Sequence, residues 1–581
     1  MKNLIRSLLV LQLAWLNACS LLDRTKNNPG KAAVQSENQG ELYTAYELQA
    51  DAPAAPVIAR HGRALPALRK GVSGAGIGLM GAVMAQAGYA EGSPQFNTES
   101  YDTINENTYH AVSREPLSTF SIDVDTASYA NIRRMLNLGA FPVIDAVRVE
   151  EMINYFDYDD PAPSEGAFAV NMETAPALWN SKHQVVRINI KGKEIKTEQR
   201  PASSLVFLID TSGSMDEPNK LPLVIESLKL LVGQLGAQDR IAIVVYAGSA
   251  GLVLPPTRGN QKDTILHALG GLSGGGSTNG GAGITLAYKL ASENFIKGGV
   301  NRVILSTDGD FNVGITDRSG LLAIVEQNAK KNIYLSILGY GMGNYKDAMM
   351  QELTSKGNGN HAYIDTLNEA KKVLVEQMTG TLITIAKDVK IQVEFNPEYV
   401  ESYRLVGYEN RMLRSEDFND DKKAAGDIGA GHNVTALYEL VPKGTGTGTG
   451  SVDGLKYQKD IATDKALADP LVNGEWLTVK IRYKKPDGDV SMKIEKPLTF
   501  MKRSFESASA NLRFASAVAT FGMLLRGSEF LKEGDYALVK RIAQNSKGPD
   551  SHGYRSEFIG LVDSARQLAQ HTSAAADTSE R

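Results

Sequence analysis

Cysteine is nearly absent from this chain of 581 residues, which contains one, Cys19. A single cysteine cannot form an intrachain disulfide, and it cannot build the thiolate cluster of a structural zinc site. The eight histidines are scattered, and no two of them have the spacing of an HExxH or H-x₃-H pair. The sequence therefore lacks the signatures of the common zinc hydrolases.

A strong excess of charge of either sign is also missing. Lysine and arginine number 62, aspartate and glutamate number 66, and the formal net charge is −4 at pH 7. A dedicated nucleic-acid-binding protein usually has a basic excess or a basic stripe. The composition therefore argues against nucleic acid as a partner.

Long hydrophobic runs are few, and the first of them is short. Leu8–Leu16 follows two basic residues and is too short to cross roughly 30 Å of hydrocarbon as a helix. Its end, Leu16–Cys19 (LNAC), resembles the lipobox of bacterial lipoproteins. The resemblance implies a signal peptide over residues 1–18, a lipid-modified Cys19, and, from Ser20, the outer membrane of a Gram-negative bacterium. The alternative is an ordinary signal peptide with an incidental cysteine.

The stretch after the lipobox has little periodicity. Residues 19–115 are rich in Asn, Gln, Ala, Gly and Glu, a composition typical of a disordered spacer. Gly71–Ala90 is weakly apolar and holds six glycines, so a tether is favoured there over a transmembrane helix. We therefore expect the folded part to be tethered to the membrane by this segment.

Strands and helices alternate between residues 203 and 381. Ser204–Asp210 and Arg240–Tyr246 have the continuous apolar pattern of buried strands, and Leu221–Leu235 between them is an amphipathic helix. The other predicted elements are helices at Asp263–Leu269, Ile284–Phe295, Leu321–Lys330, Asp347–Lys356 and Glu369–Gly380, and strands at Arg302–Ser306, Ile333–Leu338 and His361–Asp365. Such alternation indicates βαβ units. We predict a doubly wound, mostly parallel α/β sheet.

The flanks of this α/β region have different patterns. Residues 116–202 mix strand-like and helical spacing, as expected of an α+β region. Residues 382–503 alternate as strands do, and residues 504–575 have helical spacing. The α/β region is therefore expected to lie between an N-terminal α+β region and a C-terminal domain that is first β-rich and then helical.

Hard oxygen donors follow the predicted strands. Asp210, Ser212 and Ser214 form a D-x-S-x-S motif at the end of the first one. Thr278 lies in a glycine-rich loop, and Asp308 follows a later strand. Ligands of doubly wound sheets bind outside the carboxyl ends of strands, at the topological switch point. One or two carboxylates with several hydroxyls suit Mg²⁺, with Mn²⁺ and Ca²⁺ as alternatives.

This set of residues resembles the metal-ion-dependent adhesion site of the von Willebrand factor type A family, which consists of D-x-S-x-S, then Thr, then Asp. The resemblance implies that Ser212 and Ser214 bind the ion directly. It implies that Asp210 and Asp308 bind directly or through water, and that Thr278 enters or leaves the shell with the ligand state. An acidic residue of a protein partner would complete the coordination. In the structural alternative, Asp210 and Thr278 only cap helices.

The flanking segments extend this resemblance to roughly residues 95–575. Phe120–Arg134, Arg148–Tyr158 and Arg513–Ser528 resemble a bacterial subfamily of type A lipoproteins that has no agreed activity. Enzyme motifs fit poorly: in the D-x-D-x-[TV] pattern of dehalogenase-type phosphatases, for example, Ala127 stands where Thr or Val belongs. We therefore expect a non-enzymatic, membrane-anchored binding protein. The alternatives are an envelope assembly protein with an incidental metal site and a metal-dependent hydrolase.

Overall fold

The computed structural model describes residues 99–122, 125–195, 199–247, 250–275, 280–309, 318–423, 425–445, 474–486 and 488–579. The signal peptide, Cys19 and nearly all of the predicted tether lie outside these residues, so the lipid anchor stays a prediction. No helix in the part of the chain that the structure describes has the length and apolar content needed to span a bilayer.

The described residues ahead of the α/β region form short strands, two helices and a long hairpin. In chain order they are β1 (His110–Ala111), β2 (Leu117–Ser121), α1 (Ala127–Asn137), α2 (Val149–Asn154), β3 (Phe168–Ala177) and β4 (Asn180–Gly192). The hairpin strands β3 and β4 are antiparallel.

The middle of the chain contains the alternating strands and helices that the sequence predicts. They are β5 (Ser203–Asp210), α3 (Leu221–Gly233), β6 (Arg240–Tyr246), β7 (Ala250–Arg258), α4 (Lys262–Gly270), α5 (Gly280–Glu293), β8 (Val300–Thr307), α6 (Arg318–Ala329), β9 (Tyr334–Tyr340), α7 (Asp347–Lys356), β10 (His361–Ile364), α8 (Leu367–Lys371) and α9 (Met378–Leu382). The strand order is β10-β9-β8-β5-β6-β7, and only the β6–β7 pair is antiparallel. The prediction of a doubly wound, mostly parallel α/β fold is confirmed.

Helices cover both faces of this sheet, which is why its central strands are largely apolar. All eight residues of β5 are buried. Phe207 and Ile209 pack on one side with α3 and α4, whereas Val206 and Leu208 pack on the other with α5, α6 and α7. The two apolar layers hold the strand ends in fixed register.

Two predicted details of the α/β region are wrong. The antiparallel edge strand β7 is absent from the prediction. The predicted helix Glu369–Gly380 is interrupted between α8 and α9 by a π-helical turn at Lys372–Glu376. Lys372 begins this turn, and its buried ammonium donates to the Tyr155 carbonyl and lies 2.9 Å from the centre of the Tyr155 ring.

The described residues after the α/β region form strands and then helices. They are β11 (Thr384–Phe395), β12 (Val400–Val406), β13 (Met412–Leu413), β14 (Gly426–Gly429), β15 (Asn433–Pro442), β16 (Gly474–Lys484), β17 (Ser491–Phe500), α10 (Ala510–Arg526), α11 (Tyr536–Asn545) and α12 (Tyr554–Ser579). The β-rich and then helical order agrees with the predicted fold class.

Strands from both flanks of the α/β region pair in the same two sheets. One sheet has the order β1-β12-β15-β4-β3, and the other has the order β13-β2-β11-β16-β17. Ile188 and Leu440 from the first sheet and Phe120 and Val479 from the second belong to one apolar cluster, so the sheets pack face to face. The domain boundaries predicted at residues 202 and 381 remain predictions. Strands from before residue 202 pair with strands from after residue 381, as β4 does with β15.

A helical layer packs on the outer side of the first of these sheets. Helices α1, α2, α10, α11 and α12 share an apolar cluster with Val185 and Leu437 of the sheet. Arg133 of α1 is buried and forms ion pairs with Asp365 and Glu369 of the α/β region. The same guanidinium pairs with Glu557 of α12 at 3.0 Å, so one charged group joins three parts of the fold.

Candidate metal site at the switch point of the sheet

The strands β5 and β8 are parallel neighbours at the centre of the α/β sheet. Ile209 lies opposite Ser306 in the register, so Asp210 and Asp308 both lie at the carboxyl edge. From β5 the chain continues to β6 on one side, and β8 and the strands after it lie on the other. This reversal makes the β5–β8 boundary the topological switch point, where ligands of such sheets bind.

Asp210 is fully buried and hydrogen-bonded through both oxygens. Its Oδ2 accepts from the Tyr246 hydroxyl at 3.0 Å and from the Thr307 hydroxyl at 3.3 Å, and its Oδ1 accepts from the Ser212 amide at 2.9 Å. Burial raises the pKa of Asp210 to about 6, and the nearby charge of Asp308 acts in the same direction, against the lowering effect of the hydrogen bonds. A neighbouring cation would favour the charged form.

The two motif serines face each other. Ser212 precedes a short 3₁₀ turn, Gly213–Met215, which places the Ser212 and Ser214 hydroxyl oxygens 3.0 Å apart. Ser212 is buried, whereas Ser214 is exposed. The hydroxyl pair therefore reaches from the buried Asp210 carboxylate to the protein surface.

Lys220 is a member of this cluster that sequence reasoning missed. It immediately precedes α3, and its side chain is only 5% exposed. Its ammonium donates to the Ser214 carbonyl at 2.9 Å and to Asp308 Oδ2 at 3.1 Å. Gly341 makes room for it, since a Cβ there would lie 2.4 Å from Lys220 Cε. Nothing in the sequence distinguishes this lysine from an exposed one at a helix start.

Thr278 lies outside the described residues, so its predicted place in the metal shell is not tested. The loop that leads to it does begin at this edge of the sheet. The Gly275 amide donates to the Thr211 carbonyl at 2.8 Å, and a Cβ on Gly274 would lie 3.4 Å from Asp216 Oδ1. The structure thus brings together Asp210, Ser212, Ser214 and Asp308, four of the five predicted metal ligands.

The donor set, which combines carboxylate and hydroxyl oxygens, fits a hard cation. The described part of the chain contains no group of three or more His, Cys, Asp or Glu side chains that could hold a metal. Two carboxylates and two hydroxyls are the oxygen donors that Mg²⁺ prefers, with water completing the shell. Because the Lys220 ammonium offsets part of the charge of Asp308, the two carboxylates would leave a bound divalent ion only partly neutralised.

Comparisons with known protein families agree with the α/β fold. The model for the von Willebrand factor type A domain matches residues 204–377. A second model described as von Willebrand factor matches residues 95–187, and one described as "Uncharacterized protein YfbK, C-terminal" matches residues 380–568. The three matches follow one another along nearly the whole described chain.

Individual relatives differ in how much of the chain they resemble. A magnesium-chelatase 60 kDa subunit from Cereibacter sphaeroides is 34% identical over 140 residues, 24% of each chain. The solved structure titled "von Willebrand factor type A from Catenulispora acidiphila" aligns with 68% of this chain and 89% of its own at 15% identity, with a TM-score of 0.37. "Uncharacterized protein YfbK" from Escherichia coli K12 is 48% identical over 476 residues, 81% of each chain. The protein therefore belongs to the YfbK family and contains a von Willebrand factor type A domain.

Proposed function

We propose that this protein is a lipid-anchored envelope protein that binds a protein partner through a divalent cation. The cation, Mg²⁺ in our proposal, is held by Asp210, Ser212, Ser214, Thr278 and Asp308. An acidic side chain of the partner completes its coordination. The observation that carries the proposal is the hydroxyl pair of Ser212 and Ser214, 3.0 Å apart at the switch point of a von Willebrand factor type A domain.

The electrostatics of the cluster favour an external carboxylate. The Lys220 ammonium already offsets part of the charge of Asp308, so a divalent ion bound here would keep an attraction for a further carboxylate. Ser214 is exposed, which allows a side chain from outside to approach the ion. A cation at this place would also counter the burial that holds the pKa of Asp210 near 6.

We propose binding, and not catalysis, as the role of this site. Asp210 is held by three hydrogen-bond donors and Asp308 by the Lys220 ammonium, so both carboxylates act as fixed acceptors. The alternative function is envelope assembly through the flanking domains, with an incidental metal site. The observation that favours this second candidate is that strands from both flanks of the α/β region form two common sheets.

Metal binding is the first test of the proposal. The full chain is titrated with Mg²⁺ by calorimetry and with Mn²⁺ by electron paramagnetic resonance. We expect one site in the unmodified protein and at least about a tenfold loss of affinity in the Ser212→Ala, Ser214→Ala double variant, because two of the three proposed hydroxyl ligands are removed. Ser415→Ala, at an exposed serine elsewhere, is the matched control. Equal affinity in all three proteins would reject the site.

Partner binding is tested separately, by crosslinking in envelope extracts with and without EDTA. The proposal expects a crosslinked partner that disappears both with EDTA and in the double serine variant. A partner that remains under both conditions would favour the assembly role of the flanking domains.

The anchor is tested at Cys19. Radiolabelled palmitate should label the unmodified protein but not Cys19→Ser, and the labelled protein should sediment with the outer membrane. Labelling that persists in the variant would contradict the lipid anchor.

A further inference from the structure

Arg302 is a buried arginine near the amino end of β8, at the opposite end of that strand from Asp308. It is 2% exposed. Its Nη1 donates to the Ser336 hydroxyl at 2.5 Å and to the Asn360 side-chain oxygen at 3.4 Å, and the guanidinium lies 5.8 Å from the centre of the Tyr334 ring. Its Nε has no hydrogen-bond partner among the described residues.

The environment of Arg302 differs from that of the other buried arginines. Each of those forms an ion pair with at least one carboxylate; they are Arg133, Arg148, Arg187, Arg404 and Arg526. Within the described ranges, Arg302 donates to a hydroxyl and an amide oxygen and lies near an aromatic ring, and the charge of Asp427 acts on it although the two form no ion pair. Burying a charge is costly unless it is paired, so this arrangement calls for a negative group.

A cavity lies directly beside Arg302. Its volume is about 180 Å³, many times the roughly 15 Å³ that one water needs. It lies between the α/β region and the sheet that contains β2 and β11, and most of its polar lining is uncharged: Ser121, Thr354, Ser355, Asn358, Asn360 and Asn410. The Thr354 hydroxyl already donates to the Met350 carbonyl, whereas the other five side chains can donate hydrogen bonds from several directions to one guest.

Arg302 is the arginine of the lining that has no ion pair with a carboxylate of the described residues. Besides Arg302, the lining contains Arg411 and Asp427. Arg411 is paired with the Asp125 carboxylate at 3.3 Å. Asp427 accepts a hydrogen bond from the Asp388 amide at 3.1 Å, and its charge opposes the burial that lowers the pKa of Arg302 to about 10. Since Arg411 and Asp125 offset each other, Arg302 and Asp427 are the remaining charges beside the cavity, one of each sign.

We infer that this cavity binds a small oxyanion of the size of phosphate or sulfate, held by the Arg302 guanidinium. Arginine presents N–H donors in a planar fork that matches such anions, and hydrogen bonds between two charged groups are the strong ones. The surrounding hydroxyls and amides supply further donors. The inference uses no residue of the metal site and is independent of the function proposed above.

The test uses the full chain and inorganic phosphate or sulfate, with chloride-matched buffers as reference. Binding is followed by calorimetry for both anions and by phosphorus NMR line broadening for phosphate. We expect saturable binding at one site, with a Kd of about 1 mM or tighter. Arg302→Met should weaken it at least about tenfold, because the anion loses its charged partner. Asp427→Asn should strengthen it, because a like charge is removed.

Two controls keep the result interpretable. Arg318→Gln removes an arginine that is 62% exposed and should leave anion binding unchanged. If Arg302→Met does not fold, Arg302→Lys is used in its place. It keeps the positive charge, and it should retain part of the affinity for the anion. The inference is overturned if the unmodified protein binds neither anion saturably, or if the Arg302 variants bind as tightly as the unmodified protein.

Discussion

The Lys220 ammonium lies 3.1 Å from Asp308 Oδ2, and both side chains are almost completely buried, at 5% and 0% exposure. The same ammonium donates to the carbonyl of Ser214, one of the two serines proposed to bind the cation. A fixed single positive charge therefore lies at the edge of the proposed metal site. It stabilises the Asp308 carboxylate in the absence of metal, and it repels a cation that binds nearby.

Replacing Lys220 with methionine should make the protein depend more strongly on metal. Removing one partner of a buried ion pair costs about 3–5 kcal/mol, because the other charge stays buried without compensation. We expect Lys220→Met to lower the melting temperature in EDTA. Added Mg²⁺ should raise it by more than in the unmodified protein, because the divalent ion then serves as the partner of Asp308. Thermal unfolding with and without Mg²⁺ measures both effects.

The control for this experiment is Lys229→Met. Lys229 lies on α3, the helix that Lys220 precedes. It is 37% exposed and pairs with Glu226 at the surface, where ion pairs contribute little to stability. It should change neither the melting temperature nor the response to Mg²⁺ appreciably. If Lys220→Met responds to Mg²⁺ no more than the unmodified protein, Lys220 and the cation do not share Asp308.

The central sheet could be predicted from the sequence because its strands are buried on both faces. Ser204–Asp210 has a continuous apolar run, and the observed strand, Ser203–Asp210, differs by one residue. The edge strand β7 could not be found in this way. It is largely exposed, and it contains Pro255 and Pro256, which a strand tolerates only at an edge.

The features that sequence reasoning missed depend on contacts between distant residues. In the sequence, Lys220 resembles any lysine at the start of a helix. Its burial depends on packing against Gly341, which lies 121 residues later in the chain. The pairing of β4 with β15 joins the two flanks across the whole α/β region. Strand periodicity identifies each strand but carries no information about which partner it pairs with.

A methyl group at Gly283 should disturb the proposed metal site without touching a ligand. Gly283 lies on α5, and a Cβ there would be 2.9 Å from Tyr246 Cβ and 3.1 Å from Leu208 Cδ1. Tyr246 would have to move, and its hydroxyl donates to Asp210. We expect Gly283→Ala to destabilise the protein by about 1–3 kcal/mol, the usual cost of overpacking. The affinity for Mg²⁺ should fall as well.

The same substitution at Gly233 provides the comparison. Gly233 ends α3, and a Cβ there meets no atom within 4 Å. Gly233→Ala should therefore be neutral or stabilise the protein by up to about 1 kcal/mol, since alanine is the better helix former. Urea unfolding and Mg²⁺ titration of both variants separate the effects. A Gly283→Ala protein with unchanged Mg²⁺ affinity would show that Tyr246 does not position Asp210 for the cation.

The buried Glu439 carboxylate makes stability depend on pH in the acid range. It accepts hydrogen bonds from Trp179 Nε1 at 2.7 Å and Arg404 Nη2 at 2.8 Å, and it lies 2.6 Å from His183 Nδ1. Although burial alone would raise the pKa of Glu439, its hydrogen bonds and the Arg404 charge lower it to about 2. Its contribution to stability is thus complete above the unfolded pKa near 4.5 and is lost as the pH falls towards 2.

Glu439→Gln should remove this contribution. We expect the variant to be less stable by about 3 kcal/mol at pH 7, the free energy that corresponds to the lowered pKa. Between pH 7 and pH 3 the difference between the two proteins should shrink by roughly half, because only the unmodified protein has a carboxylate to protonate. Urea unfolding at pH 3, 4, 5 and 7 measures the difference. Glu394→Gln, at a surface pair with Lys480, is the control and should be nearly neutral throughout. A difference for Glu439→Gln that stays constant with pH would mean that packing around residue 439, and not its charge, stabilises this part of the fold.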